Sequence, residues 1–306
     1  MTEGIVNILK PPGMTSSDAV ADVRHIFKIK RVGHTGTLDP GAAGVLPICI
    51  GRATRLFDIL VDKQKEYIAE VTFGAATDTQ DAYGRIAETD ARIISKDELA
   101  AVLPCFIGQI EQTAPMYSAV SIDGKRLYQL AREGADAVEI KRSATIDNIE
   151  LMAQSGENRY LLRIVCSRGT YVRTLCADIG KRLGTCAYMS FLLRTRSGEF
   201  TIGSTYSIAE LRQMKEKGRL GDAVISIEDS LNGLIDKLSL TGLDEKQARL
   251  IRNGAEIFPG ELKGRDDSRL VMLYADGEFL GIGQTDEGGS VHIKINLTEA
   301  GALKEQ

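Results

Sequence analysis

Between residues 66 and 73 the chain alternates without a break, with Tyr67, Ala69, Val71 and Phe73 on one side and Glu66, Ile68, Glu70 and Thr72 on the other. Successive side chains of an extended chain point to opposite faces, so this segment reads as a strand with one face on a core. Residues 158–167 carry a second strand pattern that stops before Gly169. Directly after it, Val172, Leu175, Ile179 and Leu183 recur at helical spacing up to Gly184, the mark of an amphipathic helix closed by a glycine. Residues 16–30 predict another helix, with Ser16 or Ser17 as its cap, Asp18 in the first turn and Val20, Val23 and Phe27 on one face. A shorter helical pattern over 53–60 turns Leu56, Ile59 and Leu60 inward, and 95–104 reads as a helix opened by Ser95 and closed at Pro104. Thr77 to Gly84 is a polar turn ahead of a further strand. Residues 115–120 read as a strand, Asp123-Gly124 as a turn, and 127–133 as a helix ended by Gly134.

From 206 to 231 helical patterns dominate, and beyond them the character changes. Residues 239–243, 270–274, 279–283 and 291–295 are short strand patterns, with Asp276-Gly277 and Gly288-Gly289 as turns between them. That spacing predicts a small β-rich unit. A chain of 306 residues accommodates two domains, here expected over 1–232 and 233–306, and the mixture of strands and helices in the first makes the fold class α+β.

Apolar residues make up 43% of the chain and charged residues 26%, the balance of a globular protein with a sizeable core. The opening Met1-Thr2-Glu3-Gly4 carries an acid where a secretory leader has a basic cluster, and no apolar run reaches the roughly 20 residues that cross a bilayer. No leader and no membrane association are expected. Five cysteines without a Cys-x-x-Cys pair predict reduced thiols and a cytoplasmic setting. His25, His34 and His292, the three histidines, lie far apart in sequence, so no metal site is expected.

The net charge of −4 argues, on average, against a nucleic-acid partner. Basic residues nevertheless gather around one stretch, with Arg24, Lys28, Lys30 and Arg31 ahead of it and Arg52 and Arg55 behind. Lys125 with Arg126, Arg168 with Arg173, and Arg194 with Arg196 follow, while acids concentrate in 78–98, 133–139 and 276–287. Singly these are solvated surface charges; on one face they make a positive groove on an acidic protein.

The stretch they surround is Gly33-His34-Thr35-Gly36-Thr37-Leu38-Asp39-Pro40-Gly41-Ala42-Ala43-Gly44-Val45-Leu46-Pro47. Pro40 fixes its own φ and pushes Asp39 out of the helical region, so Asp39 reads as a carboxylate buried in a rigid, glycine-punctuated loop and as a candidate nucleophile. An Asp-Pro turn, with the aspartate bonding its own backbone, fits the same residues. Arg173 falls in the first turn of its helix, where the macrodipole disfavours a cation, which points either to a nearby anion or to a surface position of little cost. Tyr67 shares a strand face with core residues but stands at the strand's end, where a ring serves equally as core or as the floor of a pocket.

The full string resembles the signature loop of the TruB family of tRNA pseudouridine synthases. Asn7-Ile8-Leu9-Lys10-Pro11-Pro12-Gly13-Met14-Thr15-Ser16 is similar to that family's opening motif, and Tyr67, Asp81, Arg173 and Leu192 fall in matching blocks over residues 4 to 210. The resemblance implies a catalytic domain built on a central mixed, mainly antiparallel sheet, followed by a PUA-like RNA-binding domain. The implied activity is isomerisation of uridine 55 in the TΨC loop of tRNA, on the T-arm stem-loop, by a monomer without cofactor or metal.

The roles it implies are Asp39 as the catalytic carboxylate, Arg173 as its ion-pair partner, and Tyr67 as the ring that holds the detached base, its hydroxyl a candidate for proton transfer. Leu192 would pack on the bound base, His34 would wedge into the opened RNA, Asp81 would contact a neighbouring flipped base, and Lys10 would support the loop or touch phosphate. Extruding a base costs a few kcal/mol, which is why a wedge is needed. Two residues depart from the family pattern. Ser121 stands where many relatives place a lysine, and Tyr83 replaces an often small or acidic residue before Gly84.

Two other classes fit parts of the chain. A non-catalytic RNA-binding protein would use the basic groups and leave Asp39 as a turn residue. A glycoside hydrolase would pair Asp39 with a second carboxylate such as Asp78 or Asp81, but the chain shows no aromatic platform or second acidic motif for a sugar polymer. A phosphate cradle over 33–44 fails on pattern, since neither Gly-x-Gly-x-x-Gly after a strand nor Gly-Lys-Ser/Thr is present.

Overall fold

The computed structural model describes residues 3–61, 63–115, 121–122, 125–126, 140–258 and 269–298. The elements expected over 115–120, 123–124 and 127–134 therefore lie largely outside the described residues, as does the side chain of Ser121. Strands β1 (Gly4–Lys10), β2 (Val32–His34), β3 (Ala43–Ile50) and β4 (Lys65–Phe73) are followed by a hairpin of β5 (Ala75–Thr77) and β6 (Ile86–Thr89). Next come β7 (Gly108–Thr113), the short pair β8 (Ser121–Ile122) and β9 (Lys125–Arg126), then β10 (Lys141–Gly156), β11 (Arg159–Cys166), β12 (Ala187–Ser197) and β13 (Phe200–Thr201). Nine of these form one sheet of order β1-β3-β12-β4-β11-β10-β7, with β2 on β3 and β13 on β12. Among the described residues its one parallel ladder joins β12 to β3, and the remaining pairs are antiparallel.

The two strongest strand patterns become β4 and β11, side by side in the centre of this sheet. The other central strands carry no clean alternation. In β3 every residue from Gly44 to Ile50 is buried, so both faces are apolar and the period of two vanishes. Strand β12 is bulged twice against β4, at Ser190 and again at Thr195. Its buried positions are therefore Ala187, Met189, Leu192, Arg194 and Ser197, spaced two, three, two and three apart. Each extra residue is a hydroxyl bonded to a carboxylate of β4: Ser190 to Glu70, and Thr195 to Glu66 at 2.8 Å.

Helix α1 (Ser16–Phe27) starts where expected, but its cap is Thr15, which forms a capping box with Asp18, and not Ser16 or Ser17. It stops at Phe27, where Lys28 turns left-handed at φ 55°. The pattern over 53–60 resolves into a 3-10 turn (Gly51–Leu56) and α2 (Phe57–Val61), and Ser95 caps α3 (Lys96–Val102). The helix predicted after β11 is α4 (Val172–Arg182), closed by Gly184 at φ 71°. Helices α5 (Ile208–Glu216) and α6 (Ile227–Leu231) complete the first part.

A second sheet follows, of β14 (Asp236–Leu240), β15 (Leu270–Ala275), β16 (Glu278–Thr285) and β17 (Val291–Asn296) in that order. Helix α7 (Glu245–Arg252) lies between β14 and β15 and escapes the hydrophobic pattern, having Ile251 as its single buried residue. One apolar cluster joins the sheets, with Ile5, Val45, Leu56 and Leu60 on one side and Met272, Ile282 and Leu297 on the other. Arg52, bonded to Glu3 and the Leu297 carbonyl, and Arg55, bonded to the Asn296 carbonyl, serve this junction and not an open basic face.

Where β3 meets β12, Gly44 adopts φ 119°, and a Cβ there would stand 2.1 Å from the Arg194 carbonyl oxygen. Gly13, at φ 83°, has nothing within 4 Å of such a Cβ. Gly44→Ala is expected to lose more than about 2 kcal/mol in urea unfolding, against about 1 kcal/mol for Gly13→Ala. Equal losses would show that close approach is not what Gly44 serves.

Candidate active site

The loop between β2 and β3 is fixed by groups from two distant parts of the chain, residues 10–16 and strand β12. Ser16, at the start of α1, accepts the Leu38 N–H and donates to the Leu38 carbonyl through one oxygen, both at 2.9 Å. Gly13 donates its N–H to the Pro40 carbonyl at 2.8 Å. Lys10, fully buried at the end of β1, sends its ammonium to the carbonyls of Pro11 (2.9 Å), Met14 (2.7 Å) and Pro40 (3.3 Å). Arg194, in β12, donates to the carbonyls of Val45 (2.7 Å), Thr37 (3.3 Å) and Gly36 (3.2 Å). Lys10 thus bonds the loop from beneath, and Arg194 is an interior clamp, not a member of a basic surface.

Asp39 stands at the crest of this loop. Its Oδ2 lies 3.0 Å from Nε of Arg173, whose side chain is 6% exposed while that of Asp39 is 37% exposed. The carboxylate is consequently not buried, as the sequence suggested, but opens into a cleft with its cation behind it. Arg173 also faces Asp81, Nη1 to Oδ2 at 3.8 Å, and donates to the Thr79 carbonyl at 3.4 Å. Asp81 is held in turn by Thr79 (2.6 Å) and by the Tyr83 N–H (3.0 Å), both on its Oδ1. One guanidinium at the N-terminal turn of α4 therefore sits between two aspartates, which offsets both its burial and its unfavourable place on the helix dipole. The turn itself is locked to β7 by Gln112, which donates to the Tyr171 carbonyl (3.1 Å) and accepts the Tyr171 N–H (3.0 Å).

Asp39, Asp81 and Arg173, with His34 and Leu192, line a single cleft of about 660 Å³. His34, at the end of β2, accepts the Gly36 N–H at Nδ1 (3.2 Å), which sets its ring plane. Leu192 is almost buried and shows the cleft one edge. Tyr67 is half-buried at the start of β4, packs on the core beneath the sheet, and is not part of the cleft wall. Burial pushes its phenol up, and a hydrogen bond with Arg194 pulls the other way. Ser16 and Arg194 are the site-forming residues that sequence reasoning misplaced. The first looked like a helix cap and the second like surface charge, and only their contacts with the loop carbonyls reveal them.

The mixed sheet with an aspartate loop clamped at its parallel ladder belongs to a pseudouridine synthase, as the matching family model shows. The fold is shared with the solved Cbf5-Nop10-Gar1 complex, at a TM-score of 0.68 and 26% identity over 94% of this chain and 80% of that one. The family models “TruB family pseudouridylate synthase (N terminal domain)” and “tRNA pseudouridylate synthase B C-terminal domain” match residues 24–172 and 173–232. The chain belongs to the TruB family. It is 47% identical to the tRNA pseudouridine synthase B of Pelotomaculum thermopropionicum over 92% of this chain and 90% of that protein. For the protein of the same name from Clostridium perfringens the identity is 40%, over 97% and 99%.

Burial lowers the Lys10 ammonium to about 8, against the attraction of Asp39. Its value in the unfolded chain is about 10.4, so between these two values the unfolded state binds more protons and the stability this group contributes rises with pH. The unfolding free energy of wild type minus that of Lys10→Met should accordingly grow from pH 7 to pH 10. A flat or falling difference in chemical denaturation would count against the buried ammonium.

Proposed function

We propose that this chain isomerises uridine 55 in the TΨC loop of tRNA to pseudouridine. The reaction breaks the N-glycosidic bond, turns the uracil while it stays in the site, and closes a carbon–carbon bond to the same sugar. Product and substrate are isomers, so no electron carrier enters the balance and no cofactor is called for. What carries the reading is a solvent-facing Asp39 pinned at 3.0 Å to a buried Arg173.

Such a carboxylate acts either as a nucleophile, on sugar or base, or by stabilising positive charge at the sugar. Arg173 orients it. Leu192 would meet the base from the cleft wall, and His34 would fill the space the extruded nucleotide vacates. Asp81 would offer an acceptor edge to a neighbouring base while it shares Arg173. Tyr67 would hold the rotating base. The support for that role is its place opposite Arg194 in the β4–β12 ladder, next to the residue that clamps the loop, and it requires the base to enter deeper than the open cleft.

We further assign residues 1–232 to catalysis and 233–306 to a PUA-like RNA-binding module. We place the protein in the cytoplasm as a monomer. All five cysteines are free thiols, which suits a reducing compartment, and one chain supplies every residue named here.

Purified protein incubated with an unmodified tRNA transcript should convert the T-loop uridine, read by site mapping of pseudouridine. Asp39→Asn should lose at least about a thousandfold in turnover while tRNA binding is largely kept. Retained turnover would sink the assignment, and tight binding without conversion by the wild type would favour a non-catalytic RNA-binding protein. Affinity should also fall with salt. Arg24 on the last turn of α1, and Lys28, Lys30 and Arg31 between α1 and β2, are exposed, and three or four phosphate contacts from them give a slope of log K against log salt of about −3. Salt-independent binding would rule out this basic edge as the RNA face.

A further inference from the structure

The ring of Tyr83, the departure from the family pattern ahead of Gly84, has no part in the account above, yet it lines the same cleft as Asp39 and the residue is 72% exposed. Phe191, at 45% exposure, lines that cleft as well. Of the exposed large apolar side chains among the described residues, only these two border it. The Tyr83 ring is seated on the signature loop. A Cβ on Gly41 would stand 2.0 Å from its Cε2, 2.7 Å from Cζ and 2.8 Å from Cδ2, so the glycine is what lets the ring approach. Gly41 is two residues from Asp39. The backbone beneath the ring is fixed too, because the Tyr83 N–H donates to Oδ1 of Asp81, whose Oδ2 faces Arg173.

We propose that Tyr83 is a stacking platform for a second unpaired nucleobase of the substrate RNA, beside the one delivered to Asp39. This rests on the reading of the chain as an RNA uridine isomerase. A ring held along one side by the loop and open on the rest is half of a stack, and a nucleobase is the flat partner that an opened RNA loop presents next to this cleft. Every base has a π-face, so the platform tolerates sequence and reads the presence of an unstacked base. Phe191, immediately before Leu192, gives the same cleft a second exposed ring. Because Asp81 holds the Tyr83 backbone and shares Arg173 with Asp39, a base seated on Tyr83 rests on the same turn that steadies the catalytic pair.

The test uses the full chain and a T-arm hairpin. Wild type must first convert the target uridine; if it does not, the functional reading fails and the Tyr83 question does not arise. Given conversion, Tyr83→Ala should raise Kd and KM by about 5- to 100-fold, with kcat within about threefold, whereas Tyr83→Phe should stay within about twofold of wild type. Hairpins carrying an abasic residue at each non-target loop position identify the partner. At one position the abasic change should weaken wild type by the factor seen for Tyr83→Ala and cost the Tyr83→Ala protein nothing more. The proposal is overturned if Tyr83→Ala binds like an active wild type, if Tyr83→Phe falls as far as Tyr83→Ala, or if the two losses multiply at every loop position.

Discussion

A buried guanidinium must have its charge answered, and Arg173 meets that demand by drawing two separate segments to the start of one helix. Asp39 arrives on the β2–β3 loop and Asp81 on the β5–β6 turn, and each carboxylate takes one side of the same cation. Removing either aspartate would leave the buried guanidinium with one carboxylate in place of two. The signature loop is thus tied from below by electrostatics, and the direction in which Asp39 faces follows from where Arg173 is anchored.

The loop's remaining constraints are hydrogen bonds to its carbonyls. Gly36, Thr37, Leu38 and Pro40 all present carbonyl oxygens inward, and Arg194, Ser16, Gly13 and Lys10 answer them. Two cations spent on neutral carbonyls inside a protein are an unusual investment, since each gives up its hydration for acceptors of no net charge. The return is a backbone that cannot relax as the ligand turns in front of it. A site that must hold the same carboxylate against two successive geometries of one base needs that stiffness more than it needs any further reactive group.

Much of this was legible in the chain. The alternation of 66–73, the strand pattern over 158–167 and the helical spacing after it located the sheet's centre and the helix that carries Arg173, and of the two readings its first-turn cation allowed, a nearby anion or a surface position, the structure has the first. The start of α1 was read correctly, although Thr15 was the cap, and its end fell three residues early because Lys28 turns left-handed. What could not be read was whatever depends on a partner far along the chain. Arg194 looks like a surface charge until the loop carbonyls are beside it, and Arg52 and Arg55 until the second sheet is. Strands β3 and β12 were hidden for opposite reasons, one apolar on both faces and the other thrown out of step by its bulges.

Those bulges make β12 a counting device. Ser190 and Thr195 each add one residue that β4 does not match, and between them lie Leu192 at the cleft and Arg194 under the loop. Which face a side chain occupies here is decided by how many residues precede it as well as by what the residue is. Losing a single position at 190 would turn the segment over like a frameshift in protein form, sending Leu192 and Arg194 to the wrong sides while leaving every chemical group in the sequence. Evolution can therefore exchange residues along this strand far more freely than it can change the strand's length.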